Sequence, residues 1–174
     1  GNWNFIHGGY DNVVNGWACS VMGYHCKAIA GANHVTISGG SLHTANATAA
    51  YSTIAGGTQN IVAQQLSTVS GGSFNEATGA KGTVGGGTGN KATADSSSVL
   101  GGASNLASGA NASVIGGNTN TASGNSSVVG GGLTNTASAT GAVVVGGRDN
   151  TASGPYSQAS GRGAVATEYG QQAY

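Results

Sequence analysis

Ile54, Val69, Val84, Val99, Val114, Val129 and Val144 stand fifteen residues apart without a gap, and each lies two places before a glycine pair. Six places after each comes an asparagine: Asn60, Asn75, Asn90, Asn105, Asn120, Asn135 and Asn150. Eight places after comes a small apolar residue, Val62 in the first case and then Ala77, Ala92, Ala107, Ala122, Ala137 and Ala152. The repeat reads (S/T)-V-x-G-G-x-x-N-x-A-x-G. Around the valine and again around the alanine, small polar and apolar positions alternate with period two, as a pleated strand requires. The glycine pair and the second glycine are expected to supply the positive φ values of the corners between strands. Fifteen residues are too few for a helix pair or a propeller blade and fit one coil of a solenoid. The pattern predicts an all-β parallel solenoid with two short strands per coil.

The register extends outward with slips. Ile37 lies seventeen residues before Ile54, Val21 sixteen before Ile37, and Ile6 fifteen before Val21, so the early coils carry insertions at their turns. Beyond Val144 the column reaches Ala159 and then, fourteen residues on, Ala173. The chain thus reads as one solenoid domain over 1–174, with irregular, aromatic-rich coils in 1–50, strict repeats in 51–155 and coils of about fourteen residues in 156–174. The last coil is expected to continue in a longer parent chain. The eleven coils counted this way make a rod of roughly 50 Å at about 4.8 Å per coil.

Stacking gives the asparagines a role. One per coil in the same place forms a ladder, in which each amide is expected to donate to the carbonyl of the next. By the same count Lys27 and His43 fall in that column and interrupt it.

Charge then distinguishes the two strands. The ten charged residues, 6% of the chain, avoid the valine and the two places on either side of it. Glu76 and Lys91 sit beside the second strand, Arg148 and Asp149 between the strands, and Lys81 and Asp95 near the far corner. The outward positions of the first strand are bland or apolar: Leu100, Ile115 and Val145 follow the column, and Val128 and Val143 precede it. A strand buried on both faces needs cover, and no spare element supplies it. A second copy of the chain would, through a stripe repeated on every coil. Three copies around an axis is the expectation, although periodicity leaves the number open.

Composition narrows the function. The chain holds 34 glycines, one proline and a net charge of zero, so its low hydrophobicity is not the signature of a charged disordered segment. No basic patch points to nucleic acid, no run of about 18 apolar residues points to a membrane span, and no motif calls for a cofactor. Cys19 and Cys26 are the two cysteines; a disulfide is conceivable, and free buried thiols are the favoured reading.

These coils resemble a known family. The S-V-x-G and x-A-x-G phrases are similar to the head repeats of YadA-like trimeric autotransporter adhesins, and V-x-G-G-x-x-N-T-A-S-G resembles repeats of bacteriophage tail fibres. The resemblance implies a homotrimer of left-handed β-rolls used for attachment. On the closing segment Ala159, Gly161, Ala164, Ala166, Gly170 and Ala173 match the family's small-residue positions. The reading favoured is a structural, non-enzymatic tail-fibre segment in a virion, with other tail proteins and a host polysaccharide or protein receptor as partners. The alternative is the head of a bacterial surface adhesin.

Candidate chemistry is sparse. Trp3, Phe5, Tyr10, Trp17 and Tyr24 crowd into the first two coils; they either plug and cap the end of a narrow core or stack on sugar rings, with Trp3, Trp17 and Tyr24 the contacts considered. His7, His25, His34 and His43 lack metal-ligand spacing. Glu76, Asp95, Asp149 and Glu168 fall in different coils and columns, and Asp11 is isolated, so no glycosidase-type carboxylate pair is expected. GGTGNK is a corner rather than a phosphate loop. The sequons at Asn46, Asn111 and Asn125 match chance in this composition. Thr121, Thr136 and Thr151 form a short column that Leu106, Lys91 and Glu76 interrupt, too brief for an ice-binding array.

Overall fold

The computed structural model describes residues 3–174. Among these residues there is no helix; 23 short strands alternate between two parallel sheets, twelve strands in the first and eleven in the second. The chain is a parallel β-solenoid of about eleven turns. Each coil gives one strand to each sheet, and successive coils pair in register: Ser98 with Ser113, Val99 with Val114, Leu106 with Thr121 and Ala107 with Ala122.

The interior is narrow. Val69, Val84, Val99, Val114, Val129 and Val144 from the first sheet face Ala77, Ala92, Ala107, Ala122, Ala137 and Ala152 from the second, all fully buried. Valine against alanine keeps the sheets close, which suits two-residue strands such as Ser113–Val114 and Thr121–Ala122.

The second glycine of each pair has the expected positive φ, as Gly102 at +89° and Gly132 at +93°, but the later glycine of the repeat does not, and other residues carry the tightest part of the corners. Two columns in every coil lie in the left-handed region, and non-glycine residues occupy most of them, at φ between +52° and +61°. In the corner before the asparagine these include Gln59, Phe74, Ser104, Thr119, Thr134 and Asp149; in the other they include Leu66, Lys81, Ser96, Asn111, Ser126 and Tyr156. The cause is axial hydrogen bonding. Strand N–H groups donate to the following coil, as Ser113 N does to Ser127 O at 2.9 Å, whereas left-handed residues donate to the preceding one, as Thr119 N does to Ala103 O at 3.0 Å. The flipped peptide gains a bond that offsets roughly 1 kcal/mol of left-handed strain.

The glycines also answer to close packing. Gly117, second of its pair, has φ +87°, and a Cβ there would lie 2.2 Å from Gly132 O. Gly116, the first of the pair, faces open space. The later glycine of the repeat, Gly124, is not in the left-handed region; a Cβ on it would meet Ala139 O at 1.9 Å. Close approach between coils, not turn conformation, explains it.

Each coil is two half-coils with a common plan: a left-handed residue, a buried corner residue, then a strand. From the inner residue to the next left-handed one takes five steps on the glycine-pair side, as Val114 to Thr119, and four on the other, as Ala122 to Ser126. Ala159 to Gly163 takes four, which makes the last full coil fourteen residues and pairs Ala159 with Ala173. The early insertions lie on the opposite side, in Ile29–Ala32 and Asn46–Ala50, between a second strand and the corner after it.

Candidate functional site

Two surfaces and one internal column carry the chemistry that could matter. The column comes first because it fixes the geometry of the rest. Asn105 is buried; its backbone N–H donates to Asn90 Oδ1 at 3.0 Å and its own Oδ1 accepts from Asn120 N at 2.9 Å. Its Nδ2 donates to Gly101 O at 2.9 Å and to Gly117 O of the next coil at 3.0 Å. Asn75, Asn90, Asn120 and Asn135 repeat this set, and Asn60 repeats its two Nδ2 bonds. The ladder therefore runs from side chain to backbone rather than amide to amide. Only Asn150 adds a side-chain bond to its neighbour, Nδ2 to Asn135 Oδ1 at 3.0 Å.

The early rungs also differ from expectation. Lys27 pairs with Thr44 on the second strand, so it stands one place outside the column. Cys26 fills that rung, its N–H donating to Asn12 Oδ1 at 2.9 Å, so the ladder already begins at Asn12. His43 does lie in the column, buried, but it continues the ladder: Nδ1 accepts from Asn60 N at 3.1 Å. Its Nε2 faces Gly39 and Gly57, as the asparagine Nδ2 faces its two glycine carbonyls, without reaching hydrogen-bond geometry. Burial holds its pKa below the ordinary value. Cys19 and Cys26 are both free and buried, and burial pushes the Cys19 thiol up.

The first surface is the outer face of the first sheet. Leu100, Ile115 and Val145 are 56%, 52% and 55% exposed, and Val128 and Val143 are half-buried beside them. Earlier coils present Thr36, Thr53, Thr68 and Thr83, then Ser98 and Ser113, in the column that Val128 and Val143 continue. These outward positions carry no charge from Thr36 to Val145; Arg148 and Arg162 pair at the ends of strands Val143–Arg148 and Gln158–Arg162 of the same sheet.

The second surface wraps the first four coils. The aromatic rings lie outside, not within the core: Cys19, Val21, Cys26, Ala28 and Val35 fill the interior there, while Trp3, Phe5, Tyr10, Trp17 and Tyr24 are exposed. On the corner after the second strand, Trp17 meets His34 edge-on at 4.8 Å, and His34 stacks on Tyr51 at 4.7 Å. On the opposite corner Tyr10 and Tyr24 stack at 5.6 Å, with His25 edge-on to Tyr24 at 4.3 Å. His25 Nδ1 lies 2.7 Å from Asp11 Oδ2; a carboxylate only accepts, so Nδ1 carries the proton. Beside this pair runs an open groove of about 300 Å³ lined by Asp11, His25, Lys27, Leu42, Thr44 and Gln59. Tyr10 and Tyr24 were legible as an aromatic cluster, but the groove was not, because its lining comes from four coils of unequal length.

The remaining charges are dispersed. Lys91 pairs with Glu76 and Arg148 with Asp149, each at 3.0 Å. Among the described residues no three His, Cys, Asp or Glu side chains are grouped to hold a metal ion, and no helix is long and apolar enough to cross a membrane. The fold defines the class as a parallel β-solenoid. Compared with known proteins, the chain matches no family model, and no curated protein is significantly similar to it in sequence.

Proposed function

We propose that this solenoid is a structural, non-enzymatic segment of a homotrimeric bacteriophage tail fibre, taking part in host attachment. One observation carries the reading: exposed Leu100, Ile115 and Val145, with half-buried Val128 and Val143 beside them, form an apolar stretch without charge on the outer face of the first sheet, while Glu76 and Lys91 pair on the outer face of the second. Apolar area of this kind on a regular rod favours association of identical copies, since the same stretch on each copy can meet its counterpart on the next. Parallel coils in register would then give a stiff spacer. The repeat phrase V-x-G-G-x-x-N-T-A-S-G supports the fibre assignment, and the left-handed roll belongs to the same reading. Three of the acidic residues are engaged by neighbouring side chains, Asp11 by the His25 N–H, Glu76 by Lys91 and Asp149 by Arg148, which speaks against a carboxylate pair free for hydrolysis.

A second reading, the head of a bacterial surface adhesin, is favoured by the in-register pairing of Ala159 with Ala173 at fourteen residues. An upstream export signal or a downstream anchor barrel in the complete gene decides for it; immunolabelling of the fibres of a virion decides for the phage. Sedimentation equilibrium tests the assembly shared by both. The expected result is three times the monomer mass for the native chain and the monomer mass for Ile115→Asp. A native chain that stays monomeric at tens of micromolar removes the reading.

A further inference from the structure

The geometry points to the groove over the first four coils as a binding site for a carboxylated polysaccharide. This inference rests on the attachment reading above and gives it a place and a ligand chemistry. The groove crosses Asp11 in the first coil, His25 and Lys27 in the second, Leu42 and Thr44 in the third and Gln59 in the fourth. Three inter-coil steps of about 4.8 Å make it about 14 Å long, enough for several linked sugar rings.

Its lining matches a polyhydroxylated acid. Thr44 and Gln59 offer a hydroxyl and an amide, groups that both donate and accept. Tyr10 and Tyr24, 65% and 50% exposed, form the adjoining wall, where an aromatic surface can pack against the apolar face of a sugar. His25 is held from two directions, by Asp11 at 2.7 Å and by the Tyr24 ring at 4.3 Å. Its Nδ1 is committed to that carboxylate, which leaves Nε2 to act on a ligand. The Asp11 carboxylate is thus engaged by an N–H within the groove. Lys27 is exposed and pairs with no carboxylate among the described residues, so one positive charge faces the ligand. A uronic or sialic acid carboxylate complements it.

A peptide is the poorer occupant. Strands Lys27–Ala28 and Thr44–Ala45 beneath the groove are each paired on both sides in the second sheet, so along its length they offer no free backbone for strand addition. The groove lies in the first four coils, whereas Leu100, Ile115 and Val145 lie on the first sheet in later coils, so each chain of a trimer would present its own copy and gain from multivalency.

Affinity electrophoresis of the full chain through gels containing polygalacturonate, hyaluronate, polysialate, dextran or poly-L-glutamate tests the assignment. At least one of the three acidic glycans is expected to retard the protein while neutral dextran does not. Lys27→Gln should weaken that retardation about tenfold, the loss of one charge-assisted bond, and Tyr24→Ala by a similar factor, whereas Lys81→Gln at a distant corner should leave it unchanged. Retardation by none of the acidic glycans, equal losses in Lys27→Gln and Lys81→Gln, or stronger retardation by poly-L-glutamate overturns it. Circular dichroism confirms that each variant is folded. Sedimentation run beside the gels separates the two claims: a trimer indifferent to every glycan sinks the groove alone, and a glycan-binding monomer sinks the trimer alone.

Discussion

At the scale of single residues, the glycine pair separates two demands that look identical in the sequence. Gly116→Ala places a methyl in open space, while Gly117→Ala puts one 2.2 Å from Gly132 O at φ +87°. Thermal unfolding should show little change for the first and a loss of about 3 kcal/mol for the second; equal effects would mean that the coils do not approach as closely as described. His43 gives a pH-dependent counterpart. Its pKa is lowered from 6.5 by burial, so the folded chain takes up a proton there less readily than the unfolded one. Its contribution is then whole above about pH 6.5 and is lost as pH falls below that value toward the lowered one. His43→Asn restores the amide that the other rungs use and should flatten this part of the stability profile, measured by denaturant midpoints between pH 7 and pH 5. The column itself was legible from spacing. Its hydrogen bonds were not, because a ladder of amides and a ladder of amide to backbone require the same residue every fifteen places.

At the scale of the element, the two half-coils explain both what the period revealed and what it concealed. Inner valines and alanines recur because the two sheets lie close together, with Ile37 and Ile54 the largest apolar side chains admitted, so the strands and their pairing could be read directly from the repeat. The left-handed corners could not. Leu66, Phe74, Lys81 and Tyr156 hold φ between +57° and +61°, and no residue preference marks them, since the axial hydrogen bond rather than the side chain sets the conformation. The glycine-pair arm exists in five-step and four-step forms, as Val114 to Thr119 and Ala159 to Gly163 show. The other arm is lengthened in the early coils and is nowhere shorter than four steps among the described residues. Deleting Gly116 should therefore convert one coil to the fourteen-residue form seen at Ala159 with a modest loss of stability, while deleting Ala110 from the four-step arm should disrupt pairing on both sides. Hydrogen exchange resolves the outcomes: protection retained through Asn120 and Thr121 in the first deletion, and lost across the neighbouring coils in the second.

At the scale of the whole molecule, the first sheet's outer face is not uniform, and that shapes how copies would associate. From Thr36 to Ser113 the column preceding the valines carries hydroxyls; at Val128 and Val143 it turns apolar, next to the exposed Leu100, Ile115 and Val145. Burial of apolar area drives association at roughly 25 cal/mol per Å², so the later coils should contribute most of the affinity and the hydroxyl-bearing coils mainly a flat fit. The apolar stripe was visible in the sequence because its residues share a phase with the valine column, whereas the groove on the early coils was hidden by insertions that break the phase. Placing a charge at each end of the face distinguishes the contributions. Val145→Asp should reduce the trimer to monomers at micromolar concentration, since an aspartate desolvated against apolar neighbours costs several kcal/mol in each copy. Thr53→Asp should weaken assembly less, and Thr136→Asp on the second sheet should leave it intact. Sedimentation velocity across a dilution series ranks the three, and an order in which Thr136→Asp is the most disruptive would place the contact face on the other side of the rod.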